Sequence, residues 1–260
     1  METLRDLDLV RAVAPTVAST EMRASDDGGM PTMVVRFSVF GSWYPIDSMW
    51  EGRFLERTER GSFVKTISEQ GSRVKVQFDH GQDSRIGAVL LGVPRSLYEA
   101  EDSPVGEVPL WDTAYNRDLL PGLEAGAYGS SFRFRVMRDE WDDSPKRSEH
   151  NPDGLPERTI KEVRLMEFGP VVWPANPDAT AGVRSLTDDF YARLRTQDPH
   201  RVEALEARMR SLRTPDAGAA LAGTPAEGAA STTDDAPAPC HPSGLSSAAR
   251  SRILTAPFLI

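Results

Sequence analysis

Tyr128-Gly129-Ser130-Ser131-Phe132-Arg133-Phe134 opens a strand that runs to about Met137. Phe78-Asp79-His80-Gly81 closes another, with Val74, Val76 and Phe78 on one face and His80 delivered at its end. About thirty residues after the serines, Glu162-Val163-Arg164-Leu165-Met166-Glu167 lies in a third strand and leads into Pro170-Val171-Val172-Trp173-Pro174-Ala175-Asn176-Pro177. A nucleophile, a base and an acid on neighbouring strands are what acyl transfer needs. A Ser hydroxyl is a poor nucleophile at neutral pH until an imidazole takes its proton, and the imidazole works best when a third group fixes its tautomer. Ser130 and Ser131 are adjacent, so in a strand they face opposite sides of the sheet.

Outward from these stretches the chain divides by composition. Residues 1 to 30 are polar and mixed and end in Asp26-Asp27-Gly28-Gly29, which predicts a flexible leader. A strand with a strong apolar face begins at Thr32 and breaks at Gly41-Ser42. Phe63 and Ile67 sit at helical spacing between Phe54 and Gly71. A strand is expected from Ile86 through Ala88 and Leu90 to Gly92, and a short one over Val108 to Trp111. Asp112 to Ala125 reads as a helix capped by Asp112 or Thr113, with Leu119, Leu120 and Leu123 on its apolar side and Pro121 as a strain on its middle. Asp139 to Pro156 is a polar hairpin loop, and Thr159 to Phe168 is the partner of the Ser131 strand. Asp178 to Leu186 and Asp188 to Arg195 look helical. A charged helix over 198–212 carries Val202, Leu205, Met209 and Leu212 on one stripe. From Arg213 the composition shifts to Ala, Pro, Gly, Ser and Thr, so 213–260 is expected to be a low-complexity, disordered tail. The domain proper is 31–197.

Bulk properties exclude several function classes. The chain has 260 residues and a net charge of −9, the wrong sign for a general nucleic-acid surface. One cysteine, Cys240, permits no internal disulfide. No run approaches the ~18 apolar residues of a membrane span, and the N-terminus has no signal-peptide core. There is no Gly-x-Ser-x-Gly elbow, no Cys/His metal cluster and no Gly-rich phosphate loop, so neither cofactor nor metal is expected.

The order His80, Ser131, then an acid, with these flanking words, resembles the prohead proteases of tailed bacteriophages, the capsid-maturation serine proteases related to the herpesvirus assemblins. Four words carry the resemblance: Glu59-Arg60-Gly61-Ser62-Phe63, Asp79-His80-Gly81, Gly129-Ser130-Ser131-Phe132-Arg133-Phe134, and Glu167 to Pro177. Two positions depart from the family pattern. Arg133 stands where a second Gly is frequent, and Phe168-Gly169 stands where Val-Ser is usual. The resemblance implies a mostly β fold with flanking helices (α+β), an assemblin-like β-barrel. It also implies a Ser131 nucleophile, because the family word places that Ser two residues after Gly, and a His80 base. Glu167 matches the family acid. His150 stays open as the third member, echoing the His-Ser-His arrangement of the herpesvirus relatives. Glu162, an odd number of residues from Glu167, should face away. The implied substrates are the major capsid protein, the scaffold and the chain itself. Portal protein and a second copy of the chain are further candidate partners, and the implied place of action is inside the procapsid in the host cytoplasm. A non-catalytic capsid scaffold or assembly chaperone is the alternative, suggested by the charged helix and tail.

Overall fold

A computed structural model describes residues 7–14, 20–25, 28–172 and 183–213. The strands in chain order are β1 (Leu9–Val13), β2 (Thr20–Arg23), β3 (Thr32–Arg36), β4 (Tyr44–Ser48), β5 (Gly52–Thr58), β6 (Lys75–Val76), β7 (Ser96–Glu99), β8 (Pro104–Pro109), β9 (Gly129–Asp142), β10 (Glu157–Val171) and β11 (Val183–Ser185). Four helices accompany them: α1 (Val64–Gln70), α2 (Ala114–Glu124), α3 (Thr187–Gln197) and α4 (Pro199–Arg213). The architecture is mostly β with flanking helices.

One sheet has the order β11-β1-β9-β10-β5-β4, with β6 also on β10. Its end strands β11 and β4 approach each other, so the sheet curls into a nearly closed barrel. The long antiparallel pair β9 and β10 is its spine. One flank of β10 takes β5 in parallel at Glu157–Ile160 and β6 in parallel at Glu167–Phe168. A four-stranded sheet, β2-β3-β8-β7, packs on it. Phe132, Phe134 and Phe168 point inward from β9 and β10, and Phe37 and Phe63 join them. The Phe37 and Phe168 rings stack at 4.7 Å. Gly106 of β8 makes room for the Phe168 ring, which a β-carbon there would strike at 2.3 Å.

A chain-crossing ionic cluster fills part of the barrel. Arg11, buried on β1, donates from Nη2 to Glu51 at 2.6 Å and from Nε to Glu56 at 2.7 Å. Arg158 on β10 donates to Glu56 and to Asp139 at 3.2 and 2.9 Å, and the Tyr44 hydroxyl donates to Glu56 at 2.9 Å. Burial alone would raise the Glu56 carboxyl, but Arg11 and Arg158 hold it below its usual range. Burial likewise works against charge on Arg11, and Glu51 and Glu56 reverse that. Removing any one partner would leave a buried charge unpaired, a cost of about 3–5 kcal/mol.

This cluster corrects the expected leader over 1–30. Leu9–Val13 is a fully buried strand paired on both sides, to β11 and to β9. Thr20–Arg23 is also a strand. Three other expectations change. Ile86 to Gly92 is not a strand: the Asp83 side chain accepts from the Arg85 and Ile86 amides, and Gly87 sits at φ +67, so turn chemistry overrides the apolar alternation. Tyr44–Ser48 and Gly52–Thr58 form an unexpected hairpin. Within Asp178 to Leu186, Val183–Ser185 is a strand on β1, not helix; the rest of that stretch up to 182 lies outside the described residues. So do the tail from 214 and the Trp173-to-Pro177 part of the fourth sequence word. Helix α2 forms as expected, its Thr113 side chain accepting from the Asn116 amide, and it accommodates Pro121. Helix α4 buries Val202 and Met209. Among the described residues, no helix is long and apolar enough to cross a membrane.

Candidate active site

Paired residues on neighbouring strands share a face of the sheet. Ser131 of β9 lies opposite Gly169 of β10 and Ala12 of β1, and Arg133 lies opposite Glu167 and Val10. Phe132 faces the barrel interior, so Ser131, Arg133 and Glu167 occupy the outer face, against α3. Ser130 points to the other side and donates to the Arg36 carbonyl at 2.5 Å. The two adjacent hydroxyls are thus separated by the sheet.

His80 does not end a strand. It sits in a tight turn, Asp79–Gly81, just beyond β6, and β6 neighbours β10 rather than β9. Asp79, His80 and Gly81 all have positive φ, at 46°, 58° and 72°. Left-handed backbone costs a non-Gly residue about 1–2 kcal/mol, so surrounding contacts must hold this turn. Arg193 of α3 donates to Asp79 at 2.5 Å, Gln82 donates to the Phe190 carbonyl at 3.3 Å, and the Phe190 ring stands edge-on to the imidazole at 6.3 Å. Asp79, expected to bond backbone at a strand end, instead pairs with this helix.

The turn brings three sequence candidates together. His80 Nε2 is 2.8 Å from Ser131 Oγ, and His80 Nδ1 is 2.7 Å from Glu167 Oε2. Ser131 and Glu167 have no exposed surface and His80 is 8% exposed, so water does not compete for these contacts. An ionised carboxylate only accepts, so Glu167 keeps the proton on Nδ1. That leaves Nε2 as an acceptor and the Ser131 hydroxyl as its donor. The Arg11 carbonyl lies 2.7 Å from the same hydroxyl and offers it a second acceptor. The anchored guanidinium of Arg11 therefore fixes the backbone beside Ser131. Glu167 Oε1 is buried with no hydrogen-bond partner among the described residues.

The rival third members are elsewhere. His150 stacks on Trp43 at 5.2 Å and contacts Glu157 at 3.0 Å, half-exposed. Glu157 begins β10, ten residues before Glu167, or roughly 30 Å along a strand. Glu162 pairs with Lys65 at 2.9 Å. Sequence reasoning missed Arg11, Phe190, Arg193 and Gly169. Only Gly169 carried a signal, as a departure from the family word. A β-carbon at Gly169 would meet the Gln77 backbone carbonyl oxygen at 1.9 Å, so glycine lets the chain leading to His80 cross β10 closely. Gly169→Ala is expected to lower peptide turnover about 100-fold by displacing His80, with a folding cost of about 1–3 kcal/mol. Steady-state kinetics and thermal unfolding check both.

The family model of caudovirus prohead serine proteases matches residues 18–190, more than half of the chain, and His80, Ser131 and Glu167 all fall inside the match. The chain belongs to the caudovirus prohead serine proteases. It is accordingly a serine peptidase of capsid maturation, a family that acts on capsid proteins within the procapsid. No curated protein matches the sequence. Among solved structures, the capsid assembly protease gp21 of bacteriophage T4 matches at 12% identity with a TM-score of 0.30, over 55% of this chain and 98% of that one.

Proposed function

We propose that this prohead protease cleaves scaffold, major capsid protein and itself through Ser131, His80 and Glu167. The observation that carries the reading is the continuous run of short contacts from Ser131 Oγ through the imidazole to Glu167, at 2.8 and 2.7 Å. In the first step, Oγ attacks the scissile carbonyl while Nε2 takes its proton. Glu167 stabilises the imidazolium and stays ionised. The imidazolium then protonates the leaving amine, and an acyl ester forms on Ser131. Water, deprotonated by Nε2, hydrolyses that ester and restores the hydroxyl. No cofactor enters any step. Ser131 is fully covered in this conformation, so productive binding includes uncovering it, which suits an enzyme silent until assembly. A scaffold without activity has no use for a strained turn that aims a histidine at a serine.

Autoprocessing gives the test. The purified chain is expected to shorten at one end or both over hours, and Ser131→Ala to keep its full mass. Intact mass spectrometry of both over time reads the result. Equal shortening of the two would assign the cutting to another protease and overturn the reading.

A further inference from the structure

The outer face that carries Ser131 continues into a cavity of about 320 Å³ ringed by Arg73, Lys75, Arg133 and Arg164 over Leu165 and Met166. No acidic side chain lines it. Elsewhere on this surface the cations are matched: Lys65 pairs with Glu162, Lys161 with Glu59 and Glu140, and Arg135 with Asp8. The four cavity cations have no ion pair among the described residues, in a chain whose net charge is −9. Arg133 Nε is buried and lacks a hydrogen-bond partner, while the Arg133 guanidinium stacks over Phe190 at 5.4 Å. The concentration of positive charge is therefore local, and one of its donors is already desolvated. The Gln70 amide adds a neutral donor at the rim.

Position ties this cavity to the chemistry. Arg133 follows Ser131 by two residues on the same face of β9, a step of roughly 7 Å. Lys75 and Arg133 are the register neighbours of Glu167 on its two sides. An extended peptide whose carbonyl sits at Ser131 covers that step in about two residues. We infer that the cavity is a specificity subsite for a carboxylate side chain, a Glu or Asp of the substrate within two residues of the scissile bond. A planar carboxylate suits the paired donors of a guanidinium, and an unpaired guanidinium cluster gains most from accepting one. This rests on the proposed role of Ser131.

The experiment uses the full-length chain and internally quenched peptides that carry Glu, Gln or Lys at each position flanking the cleaved bond. Glu is expected to exceed Gln in kcat/KM by about tenfold at one position. In the exposed double variant Arg73→Glu/Arg164→Glu that preference should vanish or pass to Lys, with kcat/KM on the Gln peptide within about twofold of wild type. Fluorophosphonate labelling of Ser131 runs in parallel. Labelling and cleavage with no acid preference, or a preference the double variant keeps, overturns the subsite alone. Absence of both labelling and cleavage overturns the role of Ser131 on which it rests.

Discussion

Ser131→Ala is expected to lower peptide turnover about a million-fold, to the level left by substrate binding alone. The methyl side chain fits the fully buried site without strain, so loss of folding will not explain the effect. The informative part is non-additivity. Ser131 and His80 share one proton across 2.8 Å and act as a unit. His80→Ala should therefore fall nearly as far, and the double variant no further than Ser131→Ala. Steady-state kinetics on the full chain measure all three. If the two single losses multiply in the double variant, the residues contribute independently and the shared-proton mechanism is wrong.

Glu167→Gln has the next largest expected effect, up to about four orders of magnitude in turnover. The shape is kept and the charge is lost. A Gln carbonyl facing Nδ1 preserves the tautomer but cannot stabilise an imidazolium as a carboxylate does. A Gln amide facing Nδ1 forces the proton onto Nε2 and removes the acceptor that Ser131 needs. Either orientation fails. His150→Ala and Glu162→Gln should stay within about twofold of wild type, because both side chains lie at the solvent-facing surface with partners of their own. A wild-type Glu167→Gln beside an inactive His150→Ala would move the third role to His150.

What the sequence revealed follows from how local each signal is. The choice of Ser131 over Ser130 needed only the family word, and strand alternation then put the two hydroxyls on opposite faces, as the structure shows. Helix α2 announced itself through Thr113 and its leucines. The left-handed turn at His80 was not legible. Asp79 and His80 adopt positive φ because α3, more than a hundred residues later, holds them there through Arg193 and Phe190. Strand β1 was hidden for a related reason. Arg11 in the middle of Leu9-Val10-Arg11-Ala12-Val13 reads as a surface charge, and its buried partners Glu51 and Glu56 lie 40 and 45 residues away. Arg133 was visible as a departure in the third word, but its place among three other cations depends on the register of β6, β9 and β10.

The most direct test of Ser131 as the nucleophile is the site of reaction with a fluorophosphonate, which forms a stable ester only with an activated serine. The full-length chain, purified and within assembled proheads, would be treated, digested and sequenced by mass spectrometry. The account predicts one adduct, on Ser131, absent from His80→Ala. An adduct on Ser130, an adduct on Ser131 that survives loss of His80, or no adduct in either preparation would contradict it.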